Sequence, residues 1–240
     1  MRLDKYLLEN NFFTTRNRAQ LAIKDEIVLV NGKVVTKTGF EIGENDKVSI
    51  NGEPLKYVSR GGLKLEKALL EWNIDLNNKI MIDIGSSTGG FSDVAIRNGI
   101  KKIYAIDIGS NQFDKELAKN PRINLYENTD FRKVASEILL DANIATIDVS
   151  FISVTKIVNR FIELINIKEI ICLIKPQFEC GMEIATKYKG VIKDEKVRQE
   201  SIKKVLQAFE EIGYNNIGVC ESPIKGGDGN IEYLAYFCRK

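Results

Sequence analysis

Four charged residues stand where an open α/β sheet would gather a ligand. Asp148 ends the apolar run Ala145-Thr146-Ile147, and Lys175 ends Ile170-Ile171-Cys172-Leu173-Ile174 just before Pro176. Glu232 opens the last apolar run after the loop Gly226-Gly227-Asp228-Gly229-Asn230, and Lys64 enters an amphipathic helix far upstream. Open sheets of this kind bind at the carboxyl ends of their strands, and a strand running the opposite way starts at that same edge. A charge at the end of a buried strand is costly unless it is paired or functional. The bland alternative is two salt bridges at the sheet edge. The chain has no histidine, which excludes Ser-His-Asp and Cys-His nucleophile sites. A general base must therefore be Lys, Asp, Glu, Tyr or Cys. Cys172, Cys180, Cys220 and Cys238 show no CxxC spacing, so reduced, partly buried thiols are expected and no metal site is.

A second site is written in Lys79–Asp107, KIMIDIGSSTGGFSDVAIRNGIKKIYAID. The order is strand, glycine-rich turn, helix, strand, and then an acid. Glycines let the backbone turn tightly and approach a ligand, and a helix start offers free N–H groups. An acid after the second strand accepts both hydroxyls of a ribose, so Asp107 points to an adenine nucleoside. The G-x-x-x-G-G spacing departs from G-x-G-x-x-G and argues against a dinucleotide. The competing reading is a glycine turn without a ligand. The D-x-G-x-x-x-G-G-F form is similar to the first motif of S-adenosylmethionine-dependent methyltransferases.

These residues need a frame. From Lys79 onward apolar strands and helical patterns alternate, which predicts a parallel sheet wrapped by helices. Strands are expected at 80–84, 102–106, 122–126, 143–149, 169–174, 217–221 and 231–237. Helices are expected at 91–98, 113–118, 131–139, 154–164 and 195–212. No helix separates the last two strands, so they should pair as an antiparallel hairpin. Leu65, Ala68, Leu69 and Trp72 make an apolar stripe on a helix at 63–74. Pro54 and Gly61-Gly62 mark a break before it.

Residues 1–50 follow another pattern. Leu3, Tyr6, Leu7 and Leu8 predict a short helix, and Thr14 or Thr15 can cap a second one. Asn31-Gly32 between two apolar runs predicts a hairpin, because both turn residues accept positive φ. A further strand is expected at 47–50. The segments RLDKYL, TTRNRAQLAIKDEIVLVNGKVV and GFEIGENDKVSI resemble the S4 RNA-binding domain. The resemblance implies that Arg2, Lys5, Arg16, Arg18, Lys24 and Lys33 lie along an RNA groove, with Arg16 and Arg18 favoured. Such residues hold phosphates and position RNA without reading its sequence. The alternative is solvated charge on a small packing domain.

Composition agrees with a soluble globular chain, at 44% hydrophobic and 28% charged residues. The net charge of +2 does not announce a nucleic-acid binder, but its distribution is uneven. Residues 1–40 carry seven Lys/Arg against four Asp/Glu, residues 41–55 one against four, and residues 56–72 four against two. With no apolar run near the length of a membrane span and no secretory signal, a cytoplasmic protein is expected, with no membrane partner.

Taken together, SRGGLKLEKAL, DIGSSTGGFSD, IDVSFIS, LIKPQFECG and SPIKGGDGNIEY, behind the S4-like segment, resemble the hemolysin A family. The resemblance spans essentially the whole chain. It implies a Rossmann-like α/β methyltransferase fold with a seven-stranded, mostly parallel sheet, preceded by a small α+β S4-like domain. The divisions expected are 1–55, a connector at 56–62, and 63–240. The implied activity is methylation of ribose 2′-hydroxyls in ribosomal RNA, free or within ribosomal subunits, with cytidine suggested. The methyl donor would be S-adenosylmethionine, and a monomer is favoured. The family shares the Lys-Asp-Lys-Glu tetrad of FtsJ-type enzymes, carried here by Lys64, Asp148, Lys175 and Glu232. In that role Lys175 would be the base, Lys64 would steady charge on the attacking oxygen, and the two acids would orient the lysines. The resemblance assigns the donor to Asp83, Gly85, Ser87, Gly89 and Asp107. Asp130 would reach the adenine, with Asn128 as an alternative. Two other readings stand beside this one: a membrane-acting cytolysin, as the family name suggests, and a non-catalytic RNA-binding assembly factor.

Overall fold

A computed structural model describes residues 1–240, which form two compact units, Met1–Ser59 and Arg60–Lys240. The first unit is built on its turns. Thr15 caps the second helix, its side chain accepting from the Arg18 N–H at 3.2 Å. Asn31 and Gly32 take φ of +52° and +76°, the pair that a two-residue hairpin turn requires. The elements are α1 (Leu3–Glu9), α2 (Arg16–Lys24), β1 (Val28–Val30), β2 (Lys33–Val34) and β3 (Val48–Ile50). The strands form an antiparallel sheet in the order β2-β1-β3. Leu3 and Leu7 of α1, Ala19, Ala22 and Ile23 of α2, and Val28 and Val30 of β1 close one core.

In the second unit, β4 (Ile80–Ile84), β5 (Lys102–Ile106), β6 (Ile123–Tyr126), β7 (Ile144–Ile147) and β8 (Glu169–Ile174) run parallel. β9 (Tyr214–Glu221) and β10 (Tyr233–Arg239) complete a seven-stranded sheet in the order β6-β5-β4-β7-β8-β10-β9, with β10 antiparallel to both neighbours. The order reverses between β4 and β7, which opens a crevice at the carboxyl edge. Helices α3 (Gly62–Glu71), α4 (Gly90–Arg97), α5 (Thr155–Val158), α6 (Pro176–Glu179), α7 (Met182–Lys187) and α8 (Glu195–Glu211) supply the rest. Strands β4 and β8 are almost wholly buried, as their unbroken apolar runs require.

Several expectations shift. The helix expected at 113–118 is a single 3-10 turn, Leu117–Lys119, because the Asp114 side chain accepts from the Glu116 and Leu117 N–H groups and caps it late. The helix expected at 131–139 breaks into two 3-10 turns, Phe131–Lys133 and Ser136–Leu139, where Val134 and Ala135 turn extended. α5 passes into a 3-10 turn at Asn159–Ile162. β9 begins earlier than expected, at Tyr214, and β10 later, at Tyr233, so Glu232 lies just outside the strand. Short helices α6 and α7, started by Pro176 and Met182, escaped periodicity because neither spans two full turns.

Candidate active site

The carboxyl edge of the sheet holds a cavity of about 320 Å³ at the topological switch point, within the range of small-molecule sites. The glycine turn forms one wall. Gly85 sits at φ +81°, where a Cβ would overlap the Asp148 carbonyl oxygen. Its missing side chain therefore lets the ends of β4 and β7 meet. The Ser87 N–H donates to Asp107 Oδ2 at 2.7 Å and the Gly109 N–H to Oδ1 at 2.7 Å. A carboxylate offers about four acceptor positions, so Asp107 retains capacity for a diol. Asp130 also lines the cavity, but Arg132 donates to both of its oxygens and holds the carboxyl below its usual range. Asn128, the alternative to Asp130, does not line the cavity.

Asp83 and Gly89, both expected at the donor, are not among the cavity-lining residues. Asp83 is fully buried; it accepts from Ser92 Oγ of α4 at 2.6 Å and from Thr146 Oγ1 of β7 at 3.0 Å. Burial pushes its carboxyl up to about 6 against the opposing effect of those two hydroxyls. Gly89 caps α4 at φ +91°, and a Cβ there would fall 2.8 Å from Leu117 and 2.9 Å from Phe113. Its smallness serves packing under residues 113–117. The cavity wall, an acid with spare acceptor capacity beside half-buried Gly85 and exposed Ser87, suits an adenine nucleoside.

The four charged residues from distant parts of the chain meet beside this cavity. Lys64 Nζ lies 2.7 Å from Glu232 Oε2 and 3.8 Å from Asp148 Oδ2. Lys175 Nζ lies 2.6 Å from Asp148 Oδ1, an ion pair without hydrogen-bond alignment, and donates to Ser150 Oγ at 2.8 Å. The sequence of contacts is Glu232, Lys64, Asp148, Lys175, Ser150. Both lysines are 8% exposed and Glu232 is 3% exposed, so the charges balance out of water. Gly226 leaves room for the Glu232 carboxylate; a Cβ there would stand 2.6 Å from Oε1. Asp148 and Ser150 line the cavity, while Lys64, Lys175 and Glu232 stand behind them.

Sequence reasoning missed Ser150, Phe151 and Gly109. The first two lie inside the quoted run IDVSFIS, whose residue types were visible but whose partners were not. Phe151 is 92% exposed at the cavity wall, takes φ +64°, and stands 5.3 Å from Phe178, centroid to centroid.

In the N-terminal unit the expected RNA-facing residues separate. Arg2 and Arg16 both reach the fully buried Asp4, at 3.1 and 2.9 Å, and Gln20 donates to it at 2.7 Å. The Arg2 hydrogen bond leads the causes that hold the Asp4 carboxyl far below its usual range. Lys5 pairs with Glu9 at 3.4 Å, and Lys24 and Lys33 are exposed. Arg18 is half-buried and lines a small hollow with Phe13, Leu21 and Pro54. Asp4 was not foreseen. Its signal was an acid on the apolar face of α1, between Leu3 and Leu7.

The model of the FtsJ-like methyltransferases matches residues 57–239, and that of the S4 domain matches residues 1–48. A relative from Brachyspira hyodysenteriae named hemolysin A is 40% identical over 99% of both chains. A relative from Campylobacter jejuni, named 23S rRNA (cytidine-2′-O)-methyltransferase TlyA, is 38% identical over 100% of both. A solved structure from Streptococcus thermophilus, provisionally called a hemolysin, is 36% identical. It aligns with a TM-score of 0.76 over 100% of this chain and 88% of its own. No helix of this chain is long and apolar enough to cross a membrane.

Proposed function

Because the chain belongs to the FtsJ-like methyltransferases that carry an S4 domain, we propose that it moves a methyl group from S-adenosylmethionine to a ribose 2′-hydroxyl of ribosomal RNA. The target nucleotide in this reading is a cytidine of ribosomal RNA, as the name of the Campylobacter relative suggests; the reading sets the reaction in the cytoplasm, on free RNA or on ribosomal subunits. One observation carries the chemistry: the contacts from Glu232 through Lys64, Asp148 and Lys175 to Ser150, with Asp148 and Ser150 on the cavity wall.

Asp107 would hold the ribose of the donor, Gly85 and Ser87 its amino-acid end, and Asp130 the adenine edge. When bound, the donor supplies an electrophilic methyl on a cationic sulfur. A ribose hydroxyl is too weak an acid to lose its proton beforehand. Lys175, its amine first freed of a proton to solvent, would therefore accept that proton at Nζ as the hydroxyl oxygen takes the methyl and the sulfur leaves as a neutral thioether. Lys64 lies on the other side of Asp148 and steadies the negative charge that develops on the oxygen. Asp148 and Glu232 fix the two amines, so that most of the gain comes from positioning. Phe151 offers an aromatic face at the rim on which the target base stacks. Arg2, Arg16, Lys24 and Lys33 of the first unit grip phosphates.

The test is transfer of labelled methyl to ribosomal RNA and to isolated subunits. Lys175→Ala should lose transfer by at least about a thousandfold and leave donor affinity within about twofold. Transfer by Lys175→Ala near the wild-type rate, or none by the wild type on any RNA or subunit, would overturn the reading. If cells carrying Lys64→Ala or Lys175→Ala behave as wild type, the non-catalytic assembly factor is favoured instead.

A further inference from the structure

We propose that Ser150 is a positioning residue that aims the Lys175 amine at the acceptor oxygen. The inference rests on the reading of Lys175 as the base. An ammonium presents three N–H bonds at tetrahedral angles, and the neutral amine presents two with a lone pair in the third place. Lys175 Nζ has two fixed neighbours, Asp148 Oδ1 at 2.6 Å and Ser150 Oγ at 2.8 Å. Ser150 takes the aligned N–H while Asp148 holds the amine by charge, so the hydroxyl is what narrows the directions left to the lone pair. With Asp148 alone, rotation about the Cε–Nζ bond offers more than one direction, and the base spends part of its time misaimed. Lys64, the other amine on Asp148, is anchored by Glu232 and needs no such hydroxyl.

The surroundings of Ser150 are built to hold it against Lys175. Lys175 is the N-cap of α6, and Glu179 is that helix's last residue. The Glu179 carboxylate is buried; it accepts from the Val154 N–H at 2.8 Å and from Ser153 Oγ. The segment after β7 that bears Ser150 is thus tied to the same short helix that begins at Lys175. Between these ties Phe151 adopts φ +64°, a conformation that bulky residues avoid and that marks a loop held in place by its context. Nothing in the proposed chemistry otherwise employs Ser150.

The experiment measures methyl transfer to ribosomal RNA by Ser150→Ala and Ser150→Thr, with donor affinity and thermal midpoint recorded for each. Ser150→Ala should lower kcat about tenfold, the worth of one aligned hydrogen bond, while KM for RNA and for donor stays within about twofold. Ser150→Thr keeps the hydroxyl and should return kcat to within about threefold of wild type. A kcat for Ser150→Ala within about twofold of wild type would overturn the inference, as would a Thr variant as slow as the Ala one. So would a rise in KM that accounts for the whole loss. Lys175→Ala is run alongside. If it is silent while Ser150→Ala turns over normally, only this inference falls; if it turns over normally, the base assignment falls and takes the inference with it.

Discussion

Asp4 in the N-terminal unit and Asp83 in the sheet of the second unit are equally hidden from solvent, yet their carboxyls are driven in opposite directions. Asp4 is met by the cations of Arg2 and Arg16 and falls far below its ordinary value. Asp83 is met only by the hydroxyls of Ser92 and Thr146 and rises to about 6. Burial sets the cost of the charge in both places, and the charge of the partner decides whether that cost is offset. The two acids do different work as a result. Asp4 gathers positive charge on a small domain, with the side chains of Arg2 and Arg16 still about half exposed. Asp83 fastens α4 and β7 to β4 behind the glycine turn, and at neutral pH it does so at a cost in stability.

The comparison can be broken by substitution. The largest effect is expected from Asp4→Ala, which strips two guanidiniums and an amide of their acceptor. Amide hydrogen exchange in α1 and α2 should report a local loss of about 3 kcal/mol, while the amides of β4 stay unchanged. Asp83→Asn should act the other way, raising stability at pH 7 by roughly 2 kcal/mol and changing little at about pH 4. The sign follows from proton counts. Between the ordinary value of 3.8 and about 6 the folded chain holds a proton on Asp83 that the unfolded chain has released, so stability falls as pH rises through that window. Equal effects of Asp83→Asn on urea denaturation at the two pH values would contradict the contrast. Asp4 runs in reverse: its contribution is present above 3.8 and drains away as pH falls through the depressed folded value, so the N-terminal unit should loosen in strong acid. Circular dichroism of Asp4→Asn on acid titration should lack that step. The smallest effect is on RNA binding. Arg16→Ala should lower the slope of log affinity against log salt by about 0.7–0.9, and half-buried Arg18 should lower it less; an unchanged slope for Arg16 would remove it from the RNA face.

The same contrast explains what could be read ahead of the structure. The hairpin at Asn31-Gly32 and the strand-turn-helix at 80–97 were legible because their signals are local and backbone-driven. The meeting of Lys64, Asp148, Lys175 and Glu232 was legible because a charge at the end of a buried apolar run adds nothing to packing and must find a partner or a task there, and the motif set supplied the fourth member. Asp83 and Gly89 lie within the turn motif yet do not line the cavity, because spacing tells how near a residue is to a turn and not which way it faces. Ser150 was invisible as a partner because Lys175 lies 25 residues away and a lone serine carries no periodicity. The stretches at 113–118 and 131–139 read as helices because side-chain caps at Asp114 and Asp130 start turns that apolar spacing cannot distinguish from longer ones.

Gly85 touches both halves of the site through main chain alone: its bare Cα leaves room for the carbonyl of Asp148. The separation between the ends of β4 and β7 is thereby set as by a gauge block, by peptide dimensions and not by rotamers. The distance between those strand ends stays constant, and any residue larger than glycine at that one position would reset it.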